Sequence, residues 1–500
     1  MSSSSPSRGG CAPIRVSIAA TVPTPNFPST DRPEIVSPHT PASAHPNGED
    51  LVLRIEGPAA GGSFVARDDG RVVFVSGALP GELVRARTVP GPGKVLRAEV
   101  TEVLEASEHR VPDRRTAYLA EAAGPDDRGA GGLFGGMEFA HVDLAHSRDL
   151  KAEIVTDQLR RLGGLDREDT VSAAPGETTG TDWRTRVQLA VDRHGELGMV
   201  RSRSHDVVAV GRAPLAVTSI AEVDLGTVRL PGAERVEFAA TGQTGAVIVR
   251  GAVEDTALRD FAEALPEDWS LLTGPAAPPR QTARRGHDRR ARGRHRGSAH
   301  RSHGGSAAGE PTGPLQVHRG TETLTETVAG RDFTVSADGF WQVHEQAAAL
   351  LSDRVVAALP DDAREIVDLY CGVGLLGIGA AAATGARLYG VEGVGPAIEH
   401  ARTNAAGLDA EFVAGRVDTA ALPDSDVVIL DPPRAGAGKA VTDRLVESGP
   451  DSIVYVSCDA GTLARDLAAL TAGGYAIESL EGFDLFPLTA HIETVTVLRR

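Results

Sequence analysis

Cysteine is scarce in this chain: 500 residues hold only Cys11, Cys371 and Cys458. Three such scattered thiols exclude a disulfide framework and do not form a metal-binding cluster, so a reducing cytoplasm is the expected location. Long apolar runs are missing as well, and none reaches the roughly 18–20 residues of a membrane span. The first 47 residues are rich in Ser, Pro and Thr and lack a cationic start followed by a continuous apolar stretch. That argues against a secretory signal and for a disordered tail. Excess positive charge is also lacking. With a net charge of −17, any nucleic-acid contact has to come from local patches.

The length exceeds what one core supports, and two to three domains are expected. Residues 48–106 carry strand-like runs at Leu51–Ile55, Arg71–Val75, Glu82–Ala86 and Val95–Val100, separated by Gly-, Pro- and Asp-rich turn signals. This pattern predicts a small β-domain, with a closed barrel and an ordinary β-unit both open. Residues 107–273 mix strands and helices, with a helix predicted over Lys151–Leu162. From Arg280 to Arg301 nine arginines face the single acid Asp288, which reads as a disordered basic segment, either a phosphate tether or a tolerated insertion. Beyond Gln342, buried strands at Glu365–Leu369, Arg387–Val391, Asp426–Leu430 and Ser452–Ser457 alternate with helices. Such alternation predicts a mostly parallel, doubly wound sheet with its ligands at the carboxyl ends of the strands.

Four segments at those ends carry chemistry. Asp368-Leu-Tyr-Cys-Gly-Val-Gly374 follows a strand and precedes an apolar helix, and Glu392 ends the next strand, where an acid commonly accepts from ribose hydroxyls. A Gly-x-Gly also fits a dinucleotide, but the missing third glycine favours a nucleoside cofactor without phosphates. Asp431-Pro-Pro-Arg434 makes a rigid turn that aims a carboxylate into the cleft, although Asp-Pro-Pro can simply stop a strand. Cys458 follows the strand Ile453–Ser457 near a helix N-terminus, a position that favours the thiolate, whereas a lone cysteine is more often a small buried hydrophobe. Glu493 lies just before the last strand, behind a Pro-fixed loop with His491, and by itself reads as a solvated acid or a base.

The C-terminal half resembles the uracil-C5 RNA methyltransferases of transfer and 23S ribosomal RNA. The matching segments are Phe340-Trp-Gln-Val, Asp368-Leu-Tyr-Cys-Gly-Val-Gly, Gly390-Val-Glu-Gly, Asp431-Pro-Pro-Arg-Ala-Gly, Val456-Ser-Cys-Asp and Asp484-Leu-Phe-Pro-Leu-Thr-Ala-His-Ile-Glu. Residues 48–106, with Gly70-Arg-Val-Val-Phe-Val and Gly77-Ala-Leu-Pro-Gly-Glu, resemble a TRAM domain. The resemblance implies an α/β protein in four parts. They are the tail at 1–47, an RNA-binding TRAM/OB-like barrel at 48–106, and a mixed α+β central domain at 107–335 with the Arg-rich insert at about 275–312. The fourth is a Rossmann-like methyltransferase domain at 336–500. It further implies Cys458 as nucleophile and Glu493 as general base, with Gln342, Tyr370, Glu392 and Asp431 contacting S-adenosylmethionine. Carbon 5 of uracil is too weak a nucleophile by itself. A thiolate adding to carbon 6 makes it reactive, and a base then removes the carbon-5 proton.

Two departures stand out. Many ribosomal-RNA members carry a four-cysteine iron–sulfur site, but the stretch near Gly135-Gly-Met-Glu-Phe-Ala-His has no cysteine, and no cluster is expected. Arg416 stands after Phe412-Val-Ala-Gly, where relatives often have a small polar or acidic residue near the adenine. Absence of the cluster resembles the transfer-RNA branch and the TRAM domain the ribosomal branch, with ribosomal RNA slightly favoured. The competing readings are an amino-group nucleobase methyltransferase using Asp431-Pro-Pro-Arg434 and a non-catalytic RNA-binding or RNA-folding factor. The enzyme is expected to be a monomer with RNA as its partner, without an obligate protein partner and away from membranes.

Overall fold

A computed structural model describes residues 48–90, 95–121, 133–202, 204–242, 244–276 and 313–500. The tail expected at 1–47 and the basic segment Arg280–Arg301 lie outside the described residues.

Five strands, β1 (Asp50–Ala59), β2 (Ser63–Asp68), β3 (Arg71–Ser76), β4 (Leu83–Val89) and β5 (Leu96–Glu105), close into a barrel in the order β1-β2-β3-β5-β4. Period-two alternation along β1 turns Leu51, Leu53 and Ile55 inward while their neighbours face solvent. Strand β2 had no counterpart among the sequence runs. Enclosed by turns at both ends, it contributes only Phe64 and Ala66 to the barrel core.

Helix α1 (Leu144–Gln158) starts earlier than the expected Lys151, because the Asp143 carboxylate caps it by accepting from Ala145 N and His146 N at 3.0 and 3.1 Å. It packs in two directions. Leu150 and Ile154 enter the barrel core, whereas Val155 and, one turn on, Leu159 enter the C-terminal core. Lys151 lies four residues before Val155, on the stripe that faces the C-terminal core.

The central segment contributes β6 (Val171–Ala173), β7 (Arg186–Val191), β8 (Leu197–Val200), β9 (Val207–Ala209), β10 (Ala233–Thr241), β11 (Thr244–Gly251), α2 (Asp255–Ala264), β12 (Ser270–Gly274) and β13 (Gln316–Arg319). Of these strands, all but β6 form a seven-stranded sheet in the order β13-β12-β11-β10-β7-β8-β9. A hairpin, β14 (Thr323–Val328) and β15 (Arg331–Ser336), was also absent from the sequence reading. Its Phe333 and Val335 enter the C-terminal core, and Asn404 ties it down by accepting from Thr334 N at 2.8 Å.

The C-terminal part runs α3 (Ala347–Ala357), β16 (Glu365–Leu369), α4 (Leu375–Thr384), β17 (Arg387–Glu392), α5 (Gly395–Asn404), β18 (Ala410–Ala414), β19 (Val427–Leu430), α6 (Gly438–Ser448), β20 (Ser452–Ser457), α7 (Ala460–Ala472), β21 (Ala476–Asp484) and β22 (Glu493–Arg499). They build one sheet in the order β18-β17-β16-β19-β20-β22-β21-β6. Strands β16 to β20 pair in parallel, as expected, and β19 and β20 are buried throughout because helices cover both faces. Strand β22 is antiparallel to both β20 and β21. The reversal puts its first residue, Glu493, at the edge where the parallel strands end. No helix among the described residues is long and apolar enough to cross a membrane.

Candidate active site

All six residues singled out in the sequence converge on that carboxyl edge. Tyr370 follows β16, Glu392 ends β17, Asp431 follows β19 and Cys458 follows β20. Ser457 pairs with Thr494 across the antiparallel strands β20 and β22, so one step on along β20 and one step back along β22 bring Cys458 opposite Glu493. Gln342 comes from the segment preceding α3 and donates from Nε2 to Asp431 Oδ2 at 3.4 Å.

The Gly-rich loop is shaped by its backbone. Tyr370 takes φ +63° and donates its N–H to Val391 O at 2.9 Å, while Gly374 takes φ +90° at the start of α4. A Cβ on Gly374 would lie 2.5 Å from Ile378 Cδ1, whereas one on Gly372 would meet nothing within 4 Å, so the loop closes on its own helix and leaves room on the cleft side. Glu392 accepts from Gly372 N at 3.2 Å and from Val394 N at 2.9 Å, which fixes its carboxylate beside that opening. Behind the loop, buried Asp368 accepts from Gly377 N at 2.9 Å, and burial pushes its carboxyl up to about 8.

Carboxylates dominate the electrostatics. Glu493 is buried at 4% exposure, and burial followed by the negative charge of Asp431 raises its carboxyl well above the usual range. Asp431 is raised by burial too, against the pull of the Gln342 hydrogen bond. Half-buried Cys458 is held as a thiol: burial first, then the charges of Glu493 and Asp431, push it up. This corrects the expectation of a favoured thiolate. The helix that follows Cys458 is capped by the Asp459 carboxylate, which accepts from Thr462 N at 2.8 Å and brings another negative charge near the sulfur.

Arg434 supplies the opposing charge, lowering both Cys458 and Glu493. It stands 3.3 Å from His491 Nε2, whose imidazole is pushed down to about 3 by burial and by Arg434, Lys151 and Arg184. The sequence reading placed Arg434 and His491 within motifs but gave neither a role. Asp466 on α7 was missed altogether: it accepts from Ala437 N and Tyr455 Oη, both at 2.8 Å, pinning the turn that carries Arg434. Eight residues past Cys458 on an ordinary amphipathic helix, it leaves no sequence signal. Arg416, the residue out of pattern, pairs with Asp418 at 2.5 Å on the surface. The cysteine-free stretch is packed instead with buried Met137, Phe139 and Ala140, and no group of three or more His, Cys, Asp or Glu among the described residues is placed to hold a metal ion.

Residues 47–107 match the TRAM domain family, residues 341–454 the methyltransferase small domain family, and residues 416–500 the family described as tRNA (Uracil-5-)-methyltransferase. A protein of Streptomyces avermitilis named uncharacterized RNA methyltransferase is 35% identical over 473 residues, covering 90% of this chain and 98% of the relative. A likewise named protein of Streptomyces coelicolor is 33% identical over 472 residues, covering 90% and 93%. The Pyrococcus abyssi tRNA (uracil-54, C5)-methyltransferase, solved in complex with S-adenosyl-L-homocysteine, shares the fold with a TM-score of 0.62 at 20% identity, covering 90% of this chain and all of that one. A TRAM barrel joined to a Rossmann-like sheet with this edge defines an RNA methyltransferase. Within that class, the chain belongs to the uracil-C5 RNA methyltransferase family.

Proposed function

We propose that this enzyme methylates carbon 5 of a uridine in structured RNA through a covalent Cys458 adduct, with S-adenosylmethionine as the methyl donor and 23S ribosomal RNA favoured over transfer RNA. The observation that carries the reading is the apposition of Cys458 and Glu493 across β20 and β22, beside Asp431. The cofactor fits the donor set. Glu392 and Asp431 put carboxyl groups along the edge, which suits a cationic sulfonium better than phosphates, and the space beside Gly372 admits a ligand. Glu392 would hold the ribose hydroxyls, with Tyr370, Gln342 and Asp431 lining the rest. When bound, S-adenosylmethionine supplies an electrophilic methyl group.

A base stacked in folded RNA cannot present carbon 6, so the uridine has to be turned into the cleft while the TRAM barrel holds flanking RNA. The Cys458 sulfur then adds to carbon 6, its proton passing to the nearby Asp431 carboxylate. The electron pair displaced from the C5=C6 bond gives an enolate, and carbon 5 takes the methyl. Glu493 removes the remaining carbon-5 proton, the C5=C6 bond re-forms, and Cys458 leaves as a thiolate that regains its proton. Arg434 stabilises the negative charge on the sulfur at entry and exit. The ribosomal preference rests on the TRAM-type barrel.

The direct test is methylation of unmodified 23S ribosomal RNA and transfer RNA with methyl-labelled S-adenosylmethionine, followed by nucleoside analysis. Label is expected in 5-methyluridine from 23S RNA. Label in 5-methyluridine of transfer RNA alone would overturn the choice of RNA, and label in an N-methylated purine would overturn the reaction.

A further inference from the structure

The loop between β21 and β22 leads directly into the base and is held from outside its own domain. Lys151 on α1 donates from Nζ to Asp484 Oδ1 at 2.5 Å and to Phe486 O at 3.0 Å, and both side chains of this ion pair are fully buried. The partners are 333 residues apart in sequence. Two further contacts reach the same loop from the central segment. Phe139 N donates to Leu488 O at 3.0 Å, and Glu138 accepts from Ala490 N at 3.4 Å. Leu488 sits at φ +63°, a left-handed conformation unfavourable for leucine that persists only where surrounding contacts enforce it. Three residues after Ala490 the chain reaches Glu493.

A buried ion pair is a poor way to gain stability, since removing both charges from water costs about as much as their attraction returns, and apolar residues of similar volume do as well or better. What the pair offers is geometric: a charged donor fixed on a rigid helix sets the position of one carboxylate and one carbonyl. Asp484 ends β21 next to Phe483, and Phe483 pairs directly with Glu493 on β22. A displacement at Asp484 is therefore transmitted to the base within one strand register. Asp484 also faces His344, whose imidazole burial pushes down to about 4 against the pull of that carboxylate.

We propose that the buried Lys151–Asp484 ion pair is a positioning device through which the central segment sets the geometry of Glu493 for proton removal. The inference rests on the covalent reaction proposed above. Lys151 and Asp484 touch neither the uridine nor the cofactor in that scheme. They act on the last step, in which Glu493 takes the carbon-5 proton, the electron pair of the broken C–H bond restores the C5=C6 bond, and Cys458 leaves. Addition of Cys458 and methyl transfer belong to β20 and the Gly-rich loop, and do not depend on the pair.

The test separates these steps in the full-length enzyme. Lys151→Met and the paired replacement Lys151→Met/Asp484→Leu, which leaves no buried charge unpartnered, are compared with wild type. One readout is turnover on uridine-containing RNA. The other is the denaturation-resistant adduct formed with 5-fluorouridine RNA and S-adenosylmethionine, which needs no proton removal. Turnover should fall at least tenfold in both variants while the fluorinated adduct forms as in wild type, and a methylated adduct with ordinary uridine should accumulate. Unchanged turnover in the paired replacement overturns the inference, as does a parallel loss of turnover and trapping in both variants, which marks the pair as a scaffold only. No fluorinated adduct from wild type overturns the covalent reaction itself, an outcome distinct from either.

Discussion

Asp431, just after β19, and Glu493, the first residue of β22, lie close enough that the charge of Asp431 adds to burial in raising the Glu493 carboxyl. Each binds its proton more tightly folded than unfolded. Their contribution to stability is therefore complete below the ordinary carboxylate pKa and is lost as pH rises through the folded value. Glu493→Gln keeps the shape and removes the charge. Its melting temperature should exceed that of wild type by a margin that grows as pH rises, worth about 1.4 kcal/mol for each unit of upward pKa shift. A difference that stays constant with pH contradicts this.

Activity should slope the other way. The base has to be ionised and the thiol has to release its proton, and both groups are raised. At saturating substrates, kcat should rise with pH through neutrality and into the alkaline range, without a fall across neutrality. A bell centred below pH 7 would show that the free-state environment of Cys458 and Glu493 does not persist in the complex.

The hydrogen bond from Gln342 to Asp431 crosses from the segment before α3 to the end of β19. Gln342→Ala leaves a buried carboxylate without that donor, an effect of about 1–3 kcal/mol. That cost should appear as a lower melting temperature of the ligand-free variant, and S-adenosylhomocysteine should also bind more weakly by calorimetry. Unaltered affinity would take Gln342 out of the cofactor site.

Gly377 has no room for a side chain: an added Cβ would lie 2.6 Å from Asp368 Oδ2 and 2.8 Å from Leu388 Cδ1. Gly377→Ala should destabilise the domain by about 1–3 kcal/mol and weaken cofactor binding as the Gly-rich loop shifts. Denaturant unfolding with unchanged stability would refute the tight contact.

Much of the site was legible in the sequence because parallel strands advertise their ends. Buried apolar runs stop at Leu369, Leu430 and Ser457, and the residue types that follow carry the chemistry. The alternation of strands and helices announced the sheet, but not the reversal of β22, which depends on which neighbour it pairs with. Strands β2 and β18 and the hairpin β14–β15 escaped because short runs with few apolar residues give no clear period. The upward shift of the Cys458 thiol was not legible from local position, since burial first, and then the charges of Glu493 and Asp431, act on it only through the fold. Lys151 and Asp484 were invisible for the same reason: each alone reads as an ordinary charged residue, and 333 positions separate them.

Iron analysis offers an independent check on the central segment. With Cys11, Cys371 and Cys458 the only cysteines, anaerobically purified protein should contain no stoichiometric iron or acid-labile sulfide and no visible cluster absorption. Their presence would require ligands other than a four-cysteine set.

The covalent account is tested most directly by the mass of the protein–RNA adduct in two variants given uridine-containing RNA and S-adenosylmethionine. Glu493→Gln should accumulate a denaturation-resistant adduct, joined at Cys458 and heavier than enzyme plus RNA by one methyl group less the thiol proton, with carbon 5 still holding its own hydrogen. Cys458→Ala should bind the RNA, form no adduct and transfer no methyl. Methyl transfer by Cys458→Ala at the wild-type rate, or an adduct in Glu493→Gln attached to a residue other than Cys458, would contradict the account.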